Sequence, residues 1–140
     1  MELRLDNGWA HSGWLFDRRL QDLFSEFDAT NRHMVPPVDV IEDQNAYHFY
    51  FEMAGLKKES LDARVEDGRL LVTAERKRPE WPQQETEVHI AERGYGPIRR
   101  AFELPKDASH DKVGASYKDG VLEVTVEKRP DSKPAKILIN

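Results

Sequence analysis

From Val38 onward the chain alternates apolar and polar residues with a period of two. Tyr47, Phe49 and Phe51 fall on one side, and His48, Tyr50 and Glu52 on the other. Leu61, Ala63 and Val65 alternate with Asp62, Arg64 and Glu66, and Leu70, Val72 and Ala74 oppose Leu71, Thr73 and Glu75. Ile98, Arg100, Phe102 and Leu104 share a face, as do Val113, Ala115 and Tyr117; Leu122, Val124 and Val126 alternate with Glu123, Thr125 and Glu127. Successive side chains of an extended segment point to opposite faces, so each run has one dry side and one wet side. Turn signals at Glu66-Asp67-Gly68 and Lys118-Asp119-Gly120 separate the runs. The pattern predicts an all-β chain folded as an antiparallel β-sandwich.

The first residues follow a different rule. Phe16, Leu20, Leu23, Phe24 and Phe27 recur at helical spacing with Asp17, Arg18, Arg19, Asp22 and Glu26 between them, which predicts an amphipathic helix with Ser12 as its N-cap. With Trp14 beside it, the apolar face is too aromatic to sit in water; it packs on its own domain, on a sibling chain or on another protein. Val35-Pro36-Pro37 ends the segment, because two prolines cannot continue a helix. The expected organisation is an N-terminal arm over 1–35, the sandwich over 36–129 and a tail over 130–140.

Two features do not fit a closed sandwich. The connection 77–92 is about sixteen residues long, where hairpins use two to five. Within it Val88 and Ile90 point one way and Glu87 and His89 the other. A strand on so long an arm suits addition to a sheet edge of another subunit, the natural acceptor being the short run Val38, Asp39, Val40 and Ile41. A loop with a chance alternation is the alternative. The tail, after a charged spacer with Pro130 and Pro134, finishes in Ile137-Leu138-Ile139-Asn140. Ile137 and Ile139 share a side when extended, a two-pronged plug that reads as a tethered ligand for a groove, or as a last strand folding back on its own domain.

Composition narrows the function classes. The net charge of -5 and the lack of a basic stripe argue against nucleic acid as the main partner. With 0 Cys there are no disulfides or thiolate zinc sites, which fits a reducing, cytoplasmic setting. No apolar run approaches a membrane span, and the N-terminus lacks a signal-peptide pattern. Ser109-His110-Asp111 holds the letters of a catalytic triad, but adjacent residues cannot form a nucleophile–base–orienter chain, and after Pro105-Lys106-Asp107 the segment reads as a polar turn. The histidines have no metal-ligand spacing and Gly94-Tyr95-Gly96 is no phosphate loop. The expectation is a non-enzyme without cofactor or metal. Arg100 alone breaks the apolar phase of its strand; its guanidinium needs carboxylate or carbonyl partners, or must snorkel to solvent at the sheet edge.

These residues resemble the small heat-shock proteins, built on an alpha-crystallin domain. Ala115-Ser116-Tyr117-Lys118-Asp119-Gly120-Val121-Leu122 is similar to the family's Ala-x-x-x-x-Gly-Val-Leu signature. The run from Glu92 to Pro105 is similar to the segment leading into the family's arginine strand, with Arg100 on that arginine; Pro37-Val38-Asp39-Val40-Ile41-Glu42 and Ile137-Leu138-Ile139 resemble the domain start and the tail motif. Met53-Ala54-Gly55 departs from the usual Leu-Pro-Gly, Ile98 from a common Phe, and Val126-Glu127-Lys128 from Val-Pro-Lys. The resemblance implies an immunoglobulin-like sandwich and an ATP-independent holdase whose clients pass to ATP-driven refolding chaperones. It implies dimers that exchange the strand on the long loop, assembled further by tails docking between Leu61, Ala63 and Val65 on one strand and Val113, Ala115 and Tyr117 on another. The arm (Trp14, Phe16, Leu20, Leu23, Phe24, Phe27) is then the expected client-binding element. A co-chaperone adaptor of the CS type shares a similar sandwich and is the alternative, though it would be expected to lack the long arm and the tail motif.

Overall fold

The computed structural model describes residues 33–82, 84–130 and 136–140. The predicted N-terminal helix, Trp14 to Phe27 included, lies outside the described residues, as does most of the spacer before the tail. Seven strands form: β1 (Val38–Glu42), β2 (Ala46–Glu52), β3 (Leu61–Glu66), β4 (Arg69–Arg76), β5 (Gly96–Glu103), β6 (Ala108–Lys118) and β7 (Val121–Lys128). They make two antiparallel sheets, one in the order β1-β2-β7-β6 and the other β3-β4-β5. This is the sandwich that the alternation predicts.

The alternation decides which atoms meet. Phe49, Phe51, Leu70, Val72, Val124 and Val126 are fully buried between the sheets, while their chain neighbours face outward. Phe49, Phe51 and Phe102 form an aromatic centre with ring centroids 5.3–6.3 Å apart. Burying each such side chain gains about 1.5–3 kcal/mol, so the sheets are held mainly by this layer. The β3–β4 and β6–β7 hairpins close in two residues, Asp67-Gly68 and Asp119-Gly120, all four with positive φ (50–77°). That backbone matches the right-handed twist of the strands and explains the Asp-Gly pairs.

The segment Ser109-His110-Asp111 is not a turn, which corrects the sequence expectation. It lies in β6, with the turn displaced to Pro105–Ala108, where the Ala108 N–H donates to Pro105 O at 3.0 Å. The β6–β7 register slips between Ala108 and Val113. Ser109 Oγ, nearly buried, accepts from the amides of Asp111 and Lys112 at 3.4 and 3.2 Å. A side chain thus receives amides that the displaced ladder leaves over.

One flank of the sandwich is strapped shut. The Met34 N–H donates to Pro97 O at 2.8 Å and Met34 O accepts from the Arg99 N–H at 3.0 Å, a parallel bridge on the outer edge of β5. The chain then runs through Pro36 and Pro37 into β1 at the edge of the other sheet. Arg100 Nη1 donates to Pro36 O at 2.9 Å and its guanidinium lies 5.1 Å from the Phe102 ring centroid. Arg100 therefore keeps its stem on the apolar side and clamps the strap through a carbonyl. Desolvation holds its pKa below the ordinary arginine value.

Candidate functional site

With β1 and β5 joined along one flank, the opposite edges, β3 and β6, bound the other. They belong to different sheets and are not hydrogen-bonded to each other. Along β3, Leu61, Ala63 and Val65 are half-buried and packed on the core, with Asp62, Arg64 and Glu66 outside. Along β6, Val113 and Tyr117 are likewise half-buried on the core, but Ala115 between them is exposed. Ala115 pairs in register with Val124, which is wholly buried, so it sits on the inward-facing phase of the strand yet is reached by solvent. Tyr117 is fixed in place by donating from Oη to Met53 O at 2.7 Å. The six expected groove residues thus lie on the two edge strands, five of them half-buried against the core and Ala115 exposed.

The structure does not bring the tail there. Ile137, Leu138 and Ile139 are 83%, 81% and 95% exposed. Three consecutive apolar side chains in water at the end of a polar segment form a surface that gains free energy by being covered.

The 77–95 connection between β4 and β5 has the same character. Glu87, Val88, His89 and Ile90 lie outside any strand; Val88 and Ile90 are half or more exposed, and a turn at Pro82–Glu85 is the local backbone link. The expected acceptor run is β1, an edge strand paired on one side with β2 from Val38↔Phe51 to Glu42↔Tyr47. Val38 and Val40 face the core, whereas Asp39 and Ile41 face outward. The edge is five residues long and bounded by a tight turn. Asp43 Oδ1 accepts from the amides of Asn45 and Ala46 at 2.7 and 2.8 Å, and Oδ2 meets His48 Nε2 at 2.8 Å. Those bonds, led by the Asn45 amide, lower the Asp43 pKa from 3.8 to about 2. Lys128 Nζ pairs with Glu42 Oε1 at 2.6 Å at the far end of β1 and lies over the Tyr47 ring. Burial, then the bond donated by Tyr47 Oη to Asp107 Oδ1, raise the Tyr47 pKa well above its ordinary value.

Sequence reasoning missed the neck of this arm. Arg78 and Arg93 converge on Tyr95 and Arg76 bonds the neighbouring Gly94 O, although along the chain they stand among Glu75, Lys77, Glu80 and Glu92 and read as an ordinary charged surface. Only the pairing of β4 with β5, Arg76 opposite Gly96, brings them together.

A sandwich of four and three strands with an open flank, a short free edge and an extended apolar tail defines the alpha-crystallin-domain class of chaperones. Residues 39–140 match the Hsp20/alpha crystallin family, and the chain belongs to it. It is 42% identical over 101 residues to the 17.6 kDa class II heat shock protein of Arabidopsis thaliana, covering 71% of this chain and 65% of that protein. It is 29% identical over 110 residues to small heat shock protein C4 of Rickettsia felis, covering 79% and 67%. The chain thus spans about two thirds of the length of these relatives. Among solved structures, a small heat-shock protein from Xylella fastidiosa superposes with a TM-score of 0.65 at 31% identity, over 78% of this chain and 99% of that one. Membership implies chaperone function, and the family is one of non-enzymatic stress chaperones.

Proposed function

We propose that this chain is an ATP-independent holdase that captures unfolding proteins and keeps them from aggregating. The carrying observation is the coexistence of apolar segments in water, Val88 and Ile90 on the arm and Ile137 and Ile139 on the tail, with strands β1, β3 and β6 that end their sheets. In this reading the Glu87–Ile90 segment adds to β1 of a second copy, giving a strand-exchanged dimer. Ile137 and Ile139 enter the Leu61–Val65/Val113–Tyr117 cleft of a neighbouring subunit and link dimers into larger assemblies. The aromatic arm, Trp14, Phe16, Leu20, Leu23, Phe24 and Phe27, contacts clients when subunits separate, and clients then pass to ATP-driven refolding chaperones. The cytoplasm is its compartment, in keeping with 0 Cys. The adaptor alternative is not favoured by the family match.

Light scattering from a heat-labile client, warmed with near-stoichiometric protein and no nucleotide, tests the reading. Suppressed scattering is expected. Undiminished scattering from demonstrably folded protein would overturn it.

A further inference from the structure

The base of the 77–95 arm concentrates positive charge in a chain whose net charge is -5. Arg78 and Arg93 flank Tyr95, with Cζ 5.2 and 5.6 Å from the ring centroid, and Arg93 Nη1 donates to Tyr95 Oη at 3.3 Å. Arg76 donates from Nε to Ala54 O at 2.9 Å and from Nη1 to Gly94 O at 3.3 Å. The ion pairs of the described residues lie elsewhere: at His48–Asp43, on Arg64, at Lys112–Glu127 and at Lys128–Glu42. Among the described residues none of the three neck arginines meets a carboxylate; neutral carbonyls and the ring and hydroxyl of Tyr95 are their partners. A guanidinium carries five donors, so each retains unused capacity for an anion. Three cations held this close repel one another, and a ring face offsets only about 0.5–1 kcal/mol per exposed contact.

The complementary charge lies further along the same loop. Glu80, Glu85, Glu87 and Glu92 are exposed and make no ion pair in the described chain. Root and tip therefore do not meet within one copy. They can meet between two copies, because in a two-fold assembly a contact from i to j is repeated from j to i. The neck also stands beside the acceptor edge. Arg76 lines a cavity of about 440 Å³ with Val35, Pro36 and Pro37, the residues that lead into β1, and with Glu52, which shares the cavity without pairing to Arg76. A strand laid on β1 brings its carboxylates past this cluster.

We propose that Arg76, Arg78 and Arg93 form an anion-accepting latch for Glu85 and Glu87 of a second copy's arm. The proposal rests on the strand-exchange reading and specifies what fixes the exchanged arm. Main-chain pairing to β1 is indifferent to side chains, so the latch supplies register and selects against foreign strands.

The test uses full-length protein in two forms, one mass-labelled. The first carries Arg78→Glu with Arg93→Glu, both exposed; Arg76 is spared for its carbonyl bonds. The second carries Glu85→Lys with Glu87→Lys. Each alone should release its dimer partner roughly tenfold or more faster than the original protein at low salt. Mixed, they restore both latches, one in the original polarity and one reversed, so native mass spectrometry should show mixed dimers above the binomial share. That excess should shrink at about 0.5 M salt. A binomial distribution beside stable dimers of the original chain would overturn the latch and leave strand exchange standing. Absence of dimers in the original chain would overturn both.

Discussion

Replacing both Ile137 and Ile139 with Ala tests the tail most directly. Both side chains are almost wholly exposed, at 83% and 95%, so nearly all their apolar surface is available for burial in a partner. Seating an isoleucine gains about 1.5–3 kcal/mol, or about 3–6 for the pair. Ordering three extended residues costs about 1–2 kcal/mol each, a similar sum. A single tail is therefore near balance, and on the docking reading assembly depends on several tails engaging together. Each Ile→Ala change removes roughly three methylene equivalents at about 0.8 kcal/mol apiece, so the double variant loses about 5 kcal/mol per seated tail. That weakens each engagement by about three orders of magnitude. Size-exclusion chromatography with light scattering should show collapse from larger oligomers to dimers. The thermal midpoint of the sandwich should not move, since neither residue touches the core. On the docking reading Ala115→Glu, at an exposed position of β6, should give the same collapse from the receiving side. Retention of the original mass by the double-alanine tail would refute the docking argument.

Arg100→Ala should destabilise the sandwich by about 1–3 kcal/mol, because Pro36 O loses its 2.9 Å donor beside the buried Phe102; urea unfolding within about 0.5 kcal/mol of the original, the size of an ordinary surface change, would contradict the clamp. Asp43 supplies a pH prediction. Its folded pKa of about 2 lies below the ordinary value of 3.8, so the unfolded chain binds more protons between these values. The contribution is present above about pH 4 and is lost as pH falls toward 2; Asp43→Asn should flatten that part of the acid limb, and a carboxyl titration by NMR centred near 3.8 in the folded protein would rule the turn out as its cause.

The sandwich was legible because its strands are short and one-sided, so the period of two along Tyr47–Phe51 and Leu122–Val126 reports burial directly. The Asp-Gly hairpins were legible for the same local reason. Ser109 was not: a hydroxyl bonded to the amides of its own strand looks, in sequence, like a hydroxyl in a turn. The six expected groove residues rest on phase together with the family resemblance, but the exposure of Ala115 depends on which strands end each sheet, and spacing does not encode that. The neck arginines escaped entirely, since their convergence on Gly94 and Tyr95 arises from the β4–β5 pairing.

Ala115 also bears on how such a chain changes over generations. The smallest chiral side chain occupies an exposed inward-phase position of β6, between the half-buried Val113 and Tyr117. Alanine codons lie a single base from valine, and half of them a single base from glutamate. On the docking reading, one nucleotide can fill or charge the cleft without disturbing the fold, turning a polymerising subunit into a free dimer. Assembly size is then among the most easily altered inherited traits of this protein, while the sandwich beneath it stays constant.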